Sequence, residues 1–348
     1  MSRRLTVSSA RQRDALPHED VPKEVLSFYE IVRCDLEQLE RVIQQVKMVD
    51  SPKLQEMLEH VLGSPGKRLR STVALLSGRF GDYRPRILAL LGASIELLHT
   101  VTLLHDDVID AAETRRGRLT ANAKYHNAAA VVLGDYVFVA AADIVGRAAK
   151  LDRANLDVLR LLAQTGKTIA MGELAQDTRT AMTVCDTSEY FERIGRKTAA
   201  LFAASAEVGA MVARAASKEK TALRDYGQQL GMAFQIVDDI LDFTGDVLEM
   251  GKPITADLAT GVLTLPALLF LQTEQPDNPL TAYLRNGRSE ESLTAAVIAI
   301  KDSNAIEVSY DIARGYRDKA IAALSPLPDI PARHALAELA DYAIERHA

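Results

Sequence analysis

Two runs of acidic residues set in otherwise apolar stretches constrain this chain more than any other feature. They are His105-Asp106-Asp107-Val108-Ile109-Asp110 and Asp238-Asp239-Ile240-Leu241-Asp242. The apolar residues around both recur with the period of a helix rather than a strand. Asp106 and Asp110 then share one helical face at i and i+4, as do Asp238 and Asp242. Carboxylates stacked in this way repel one another, and burying them costs more still unless something cationic compensates. Two such clusters point to a cavity in which divalent cations and a polyanionic ligand share the space between two helices.

The bulk properties narrow the class. A chain of 348 residues can bury a sizeable core, and 25% charged with 48% hydrophobic residues is ordinary for a soluble globular protein. A net charge of -6 weighs against a nucleic-acid partner, and none is expected. Cys34 and Cys185 offer no disulfide framework and suit a reducing compartment. No uninterrupted apolar run reaches the roughly 18 residues of a transmembrane helix. The longest, Ala128 to Ala142, is broken at Gly134-Asp135. The basic, hydroxyl-rich start, Met1 to Arg11, runs quickly into His18-Glu19-Asp20 and reads as a frayed terminus rather than a targeting sequence. The expected organisation is a flexible segment over 1–21, one helical domain over 22–348, and a cytoplasmic location.

Helical periodicity continues along the chain. Val25 to Val49 carries Phe28, Ile31, Leu36, Leu39 and Val42 at helical intervals, Pro52 marks a boundary, and a short helix follows through Met57 and Leu58. Lys67 to Ser77 and Pro85 to Asp110 are separated by Gly81-Asp82-Tyr83. Thr120 to Ala149, interrupted in propensity at Gly134, precedes the Ala-rich stretches Ala154 to Thr178 and Ser188 to Ala216, the latter with Ser188 as a generic N-cap. Thr221 to Phe243 ends before Gly245-Asp246, Gly251-Lys252-Pro253 reads as a loop, and Val262 to Leu271 restarts the helix, tolerating or bending at Pro266. Glu290 to Lys301, Ala305 to Leu324 and Ala332 to Glu345 complete the set. No Val/Ile/Thr-rich alternation demands a sheet, and no short repeat period appears. The reading is an all-α single domain.

Oxygen-rich carboxylate sites suit Mg²⁺, which often bridges to phosphates. The cations near the clusters match that role. Lys67, Arg68 and Arg70 follow Gly66, and Arg115 and Arg116 begin just beyond the first cluster. Lys197 interrupts an apolar run, where a lysine needs an anion or an opening to solvent. His99 precedes Asp106 by about two helical turns on nearly the same face. Taken singly, each group has a bland explanation: a surface acid, a snorkelling lysine, a core histidine, a solvated loop arginine. Together they suggest one metal-bound diphosphate and a second phosphate-bearing substrate held by Lys and Arg.

In order, the chain carries Leu103-Leu104-His105-Asp106-Asp107-Val108-Ile109-Asp110 with Arg115-Arg116-Gly117, then Gly134-Asp135, Gly172-Glu173-Leu174-Ala175-Gln176 and Lys197-Thr198-Ala199. Gly231-Met232-Ala233-Phe234-Gln235-Ile236-Val237-Asp238-Asp239-Ile240-Leu241-Asp242 follows, then Gly251-Lys252-Pro253, Ala256-Asp257-Leu258 and Thr264-Leu265-Pro266. By this ordered set, spanning Gly66 to Pro266, the chain resembles the all-trans polyprenyl diphosphate synthase family, the polyprenyl synthetases. The resemblance implies an isoprenoid-synthase helical bundle around a central cavity, a homodimer, and three magnesium ions about an allylic diphosphate. It makes Asp106, Asp110 and Asp238 the leading metal ligands, with Asp107, Asp239 and Asp242 completing the shell. Arg115, Lys197 and Lys252 would clamp the allylic diphosphate, with Thr198 and Gln235 as polar neighbours. Lys67, Arg70, His99 and Arg116 match positions that hold isopentenyl diphosphate. The catalytic set so implied is Asp106, Asp110, Asp238, Lys197 and Arg115. Glu173 and Gln176 are explained nearly as well by a polar helix face.

Pro65-Gly66-Lys67-Arg68-Leu69-Arg70-Ser71 stands where the family has Gly-Gly-Lys-Arg-x-Arg-Pro, and Arg118-Leu119-Thr120 lacks the proline usual after Arg-Arg-Gly. Both departures bear on substrate-site geometry rather than on the chemistry. Product length should depend on a tunnel below the first cluster, lined by Thr102, Val101, Leu98, Ile95 and Ser94. Val101 replaces the large aromatic that often closes the pocket in short-chain relatives, and no insertion separates Asp107 from Asp110. Eleven residues of helix along that face span about 16 Å. The Gly251-Lys252-Pro253 and Ala256-Asp257-Leu258 segments also resemble those of long-chain enzymes, and the expected product is a chain of about seven to ten isoprene units. Geranylgeranyl diphosphate is the enzymatic alternative. A class I terpene cyclase and a non-catalytic synthase subunit stand further off, since both clusters are intact Asp-Asp-x-x-Asp motifs.

Overall fold

The computed structural model describes residues 27–63, 66–115, 117–177, 186–245, 256–273, 277–285 and 289–345. The expected N-terminal segment over 1–21 lies outside them. Helix α1 (Ser27–Lys47) turns Phe28, Val32, Leu39, Val42 and Ile43 inward, whereas Ile31 and Leu36 of the expected stripe are only half-buried. Helix α2 (Pro52–Leu62) begins with Pro52 in its first turn, where no backbone donor is missed, and Ser51 accepts a bond from Leu54 N at 3.4 Å. Helices α3 (Leu69–Ser77) and α4 (Pro85–Ile109) follow.

The stretch expected as one helix from Thr120 breaks elsewhere than at Gly134. Short α5 (Ala121–Tyr125) is capped by Thr120, the chain turns at His126 with φ 68°, and α6 (Asn127–Leu151) runs straight through Gly134. After a 3-10 turn, α7 covers Leu156–Asp177. The stretch expected as one helix from Ser188 is also divided. Helix α8 (Thr187–Ile194) passes through a π-helical turn, Gly195–Ala199, into α9 (Ala200–Val212). The cap of α8 is Asp186, whose carboxylate accepts from Ser188 N, so Ser188 lies inside the helix.

Helix α10 (Ser217–Thr244) starts earlier than its apolar pattern, because Glu219 Oε2 accepts from Ala216 N at 2.9 Å and ties down the first turn. Pro266 sits at the second position of α12 (Leu265–Thr273), after the short α11 (Ala256–Thr260), and bends nothing. Helix α13 (Pro279–Arg285) had no clear signal, and α14 (Glu290–Asp302), α15 (Ala305–Ala323) and α16 (Pro331–Glu345) agree closely with expectation. One correction concerns strands. Thr114–Arg115 (β1) pairs antiparallel with Arg118–Leu119 (β2), Thr114 opposite Leu119, and Gly117 takes φ 70° in the turn. A ladder of two residues on each strand is too short to leave an alternating pattern.

Apolar packing forms two bodies. One joins α1 to α7 with α9, the first half of α10, the end of α15 and α16; the other joins α8, the second half of α10, α11 to α14 and the rest of α15. Helices α10 and α15 are common to both. Gly231 lets α10 approach the π-turn, since a Cβ there would lie 2.5 Å from Ala199 Cα. By length and composition alone, α4 and α6 each hold an 18-residue window apolar enough to cross a membrane, 72% of it buried within the protein in α4 and 39% in α6. The apolar surface of α4 is used in the core; much of that of α6 faces outward.

Candidate active site

The first carboxylate wall is the C-terminal end of α4. Burial pushes Asp106 up to about 6, with Lys197 pulling it back and Glu173 and Asp110 adding to the rise. Asp110 caps the helix and is raised for the same first reason, burial. It also sits at the negative end of the helix dipole, which disfavours its charge. Asp107 is 4% exposed and turns toward the hairpin, accepting from Arg115 Nε at 2.8 Å. The ring of His105 lies over Gly134 of α6, where a Cβ would fall 2.3 Å from His105 Nε2. Gly134 thus serves close helix approach.

The second wall, on α10, divides its carboxylates among three environments. Asp238 is exposed, Asp239 is 5% exposed, and Asp242 is wholly buried. Asp238 and Asp242 share a helical face but not access to solvent. Asp239 accepts from Tyr190 Oη at 2.6 Å and Gln235 Nε2 at 2.7 Å, and Gln235 Oε1 accepts from Thr198 Oγ1 at 2.6 Å. Burial raises Asp239 to about 7, with Asp257 adding to the rise and the Tyr190 and Gln235 bonds opposing it.

Two consecutive residues of the π-turn link the walls. Lys197 Nζ lies 3.8 Å from Asp106 Oδ2 and 2.8 Å from Glu173 Oε2, while Thr198 reaches Gln235 on α10. Burial works against the Lys197 charge, yet Asp106 and Glu173 hold it above the ordinary lysine value. A π-turn carries an extra residue within one helical turn, a distortion frequent at functional sites. Asp257 of α11 lies within electrostatic reach of both Asp110 and Asp239.

The cations expected on isopentenyl diphosphate lie on α4 and at the start of α3. Lys67 is exposed just before α3, and the Arg70 guanidinium stacks 4.5 Å from the Phe202 ring centroid. His99 is half-buried on α4. Arg116 and Lys252 lie outside the described residues. On the expected tunnel face, Leu98 and Thr102 keep accessible surface and Val101 is 7% exposed. Ser94 is 1% exposed, its hydroxyl donating to Ala141 O at 3.0 Å, and Ile95 is 0% exposed. The accessible part of that face is therefore narrower than the sequence suggests.

Sequence reasoning left Glu173 undecided, and its contact with Lys197 gives it a place in the site. Tyr190 was missed altogether. A tyrosine in an amphipathic helix carries no signal that its hydroxyl will meet a carboxylate on another helix.

All the acidic donors are hard oxygen ligands. Among the described residues, no three acidic, imidazole or thiol groups converge into a cage for a metal ion. The carboxylates of α4 and α10, joined through Lys197 and Thr198, are of the donor type that suits Mg²⁺ held jointly by protein and phosphate oxygens.

A model of the polyprenyl synthetase family matches residues 51–300. The chain is 36% identical over 343 residues to heptaprenyl diphosphate synthase component 2 of Bacillus subtilis, covering 98% of this chain and 97% of that protein. A polyprenyl synthase from Caulobacter crescentus, crystallised with calcium and isoprenyl diphosphate, superposes with a TM-score of 0.86 at 34% identity, covering 93% and 98% of the two chains. Geranylgeranyl pyrophosphate synthetase from Pyrococcus horikoshii superposes with a TM-score of 0.83 at 30% identity, covering 94% and 100%.

The raised Asp106 carboxyl makes stability depend on pH. Its proton is held more tightly in the folded state, so ionisation penalises folding as pH rises from the ordinary value of 3.8 through about 6. In metal-free protein, wild type should lose up to about 3 kcal/mol relative to Asp106→Asn across that window and stay level above it. Urea titrations of both proteins at a series of pH values measure the difference; a flat difference from pH 4 to 7 refutes the burial effect.

Proposed function

The chain belongs to the polyprenyl synthetase family and is a Mg²⁺-dependent trans-prenyltransferase that joins isopentenyl diphosphate to an allylic diphosphate; we propose the residue roles, the product and the assembly that follow. The observation that carries the roles is the pair Lys197 and Thr198, adjacent in the π-turn and reaching toward opposite walls. Asp106 and Asp110 on α4 and Asp238 on α10 would hold Mg²⁺, three ions with substrate bound, which would supply positive charge to the departing diphosphate.

Lys197, Arg115 and Lys252 hold the oxygens of the allylic diphosphate, and Thr198 and Gln235 keep Lys197 and Asp239 in register. As the allylic C–O bond breaks, its electron pair leaves with the diphosphate, and these cations stabilise the growing charge. Lys67, Arg70, His99 and Arg116 orient isopentenyl diphosphate so that its double bond attacks the cation. A new C–C bond forms, and the proton lost in restoring the alkene passes to the released diphosphate. Asp107 and Asp242 support the walls, Asp107 by holding Arg115 and Asp242 from its buried position beneath Asp238.

Two further readings concern the product and the assembly. A long chain of about seven to ten isoprene units is supported by Val101 in place of a bulky aromatic and by the likeness to a heptaprenyl synthase component. The likeness to a geranylgeranyl synthase makes a four-unit product the alternative. A homodimer is supported by α6, whose outward face exposes Val131 at 40%, Val132 at 65%, Phe138 at 48% and Val139 at 64%. Residues 22–348 then act as one catalytic domain in the cytoplasm.

Purified protein with Mg²⁺, labelled isopentenyl diphosphate and each allylic starter should give linear products. Asp238→Ala should lower turnover by at least roughly 100-fold with the helical spectrum unchanged. Near-normal turnover in the folded variant removes Asp238 from the metal site, and cyclised hydrocarbons from wild type would make the protein a cyclase. Leu98→Phe adds a ring two turns below Asp106, about 12 Å along the helix. It should shorten the main product while retaining the first condensation. An unchanged chain-length distribution in the stable variant places the floor elsewhere, and a wild-type product that stops at four units refutes the long-chain reading. Sedimentation equilibrium should give twice the chain mass; a monomer at micromolar concentration excludes the dimer.

A further inference from the structure

Helix α3 lacks a side-chain cap of its own. Its N-cap residue, Arg68, takes a left-handed backbone with φ 49° and ψ 31°, and no side chain of the segment covers the first-turn donors. An arginine in that conformation is strained, and persists only where its surroundings over-determine it. Those surroundings come from two other helices. Glu96 of α4 is 5% exposed, and its Oε1 accepts from Ser71 N, in the first turn of α3, at 2.9 Å. Glu96 Oε2 lies 3.7 Å from Arg68 Nη1. Arg68 donates to Glu40 of α1 through Nε at 2.6 Å and Nη2 at 3.2 Å. Ser71 Oγ donates to Arg68 O at 2.9 Å, and Tyr29 Oη donates to Lys67 O at 2.5 Å.

Every one of these bonds falls on the segment between Lys67 and Ser71, which carries two of the cations assigned above to isopentenyl diphosphate. A carboxylate supplied by a neighbouring helix does what an N-cap side chain ordinarily does. It also balances the half-buried guanidinium that holds the turn. We propose that Glu96 and Arg68 are positioning residues for isopentenyl diphosphate: their ion pair fixes the left-handed turn from which Lys67 and Arg70 project, and Arg68 is not itself a phosphate ligand. This rests on the assignment of Lys67 and Arg70 to that substrate. Glu96 stands one helical turn before His99, so the residue that braces the loop and a residue assigned to the same substrate share α4.

Michaelis constants for isopentenyl diphosphate and for the allylic starter, measured separately on folded variants, test the inference. Glu96→Gln keeps an acceptor for Ser71 N but removes the charge, and Arg68→Met keeps length without charge. Each should raise the constant for isopentenyl diphosphate about tenfold and leave that for the starter within about twofold. The double variant should be little worse than Arg68→Met alone, since that variant already loses the pair with Glu96 along with the bonds to Glu40. Unchanged use of isopentenyl diphosphate, an equal rise for both substrates, or fully additive losses overturns the proposal. Should Glu96→Gln fail to fold, Arg68→Met decides by the same two constants. Lys67→Ala separates the levels. If it leaves isopentenyl diphosphate use intact, the substrate assignment itself is wrong. If it impairs that use while Glu96→Gln and Arg68→Met do not, only the positioning role fails.

Discussion

The need to keep carboxylates close together and partly out of water organises this molecule. Asp106, Asp110 and Asp239 all lie where ionisation is disfavoured by burial and by neighbouring acids. The protein answers with local partners of different kinds. Asp107 takes an arginine, Asp106 shares a lysine with Glu173, and Asp239 takes neutral donors from Tyr190 and Gln235. Only the first two kinds bring positive charge.

The helices that carry these groups are held by ordinary apolar packing, and that separation of tasks made the fold legible. Stripes on α1, α4 and α10 are wide enough to be read without knowing their partners, because the helical period alone sorts inward from outward. The breaks were harder. His126 and the Gly195–Ala199 turn interrupt helices whose residue types favour continuation, since tertiary contacts rather than propensity decide them. The hairpin at Thr114–Arg115 escaped because so short a ladder has no period to detect.

The site was legible in a similar, uneven way. Aspartate spacing marked both walls, and Lys197 stood out as a cation in an apolar run. What spacing could not reveal was which of the equivalent-looking aspartates is sealed. Asp238 and Asp242 are interchangeable on a helical wheel, yet one is exposed and the other fully buried. Nor could it find Tyr190 or Glu96, whose partners lie on other helices. Residues that touch a ligand tend to come in recognisable strings, whereas those that hold them still are scattered by the topology.

The π-turn between α8 and α9 sets two helical phases apart. An inserted residue in a regular helix shifts the phase of everything beyond it by about 100°, because each residue advances the helix by that angle. Confined to Gly195–Ala199, the shift leaves α8 and α9 each with its own inward face and joins them through a segment that obeys neither. Lys197 and Thr198 stand in that segment, so the phase that aims them at Asp106 and Gln235 differs from the phases that bury Tyr190 before the turn and Phe202 after it.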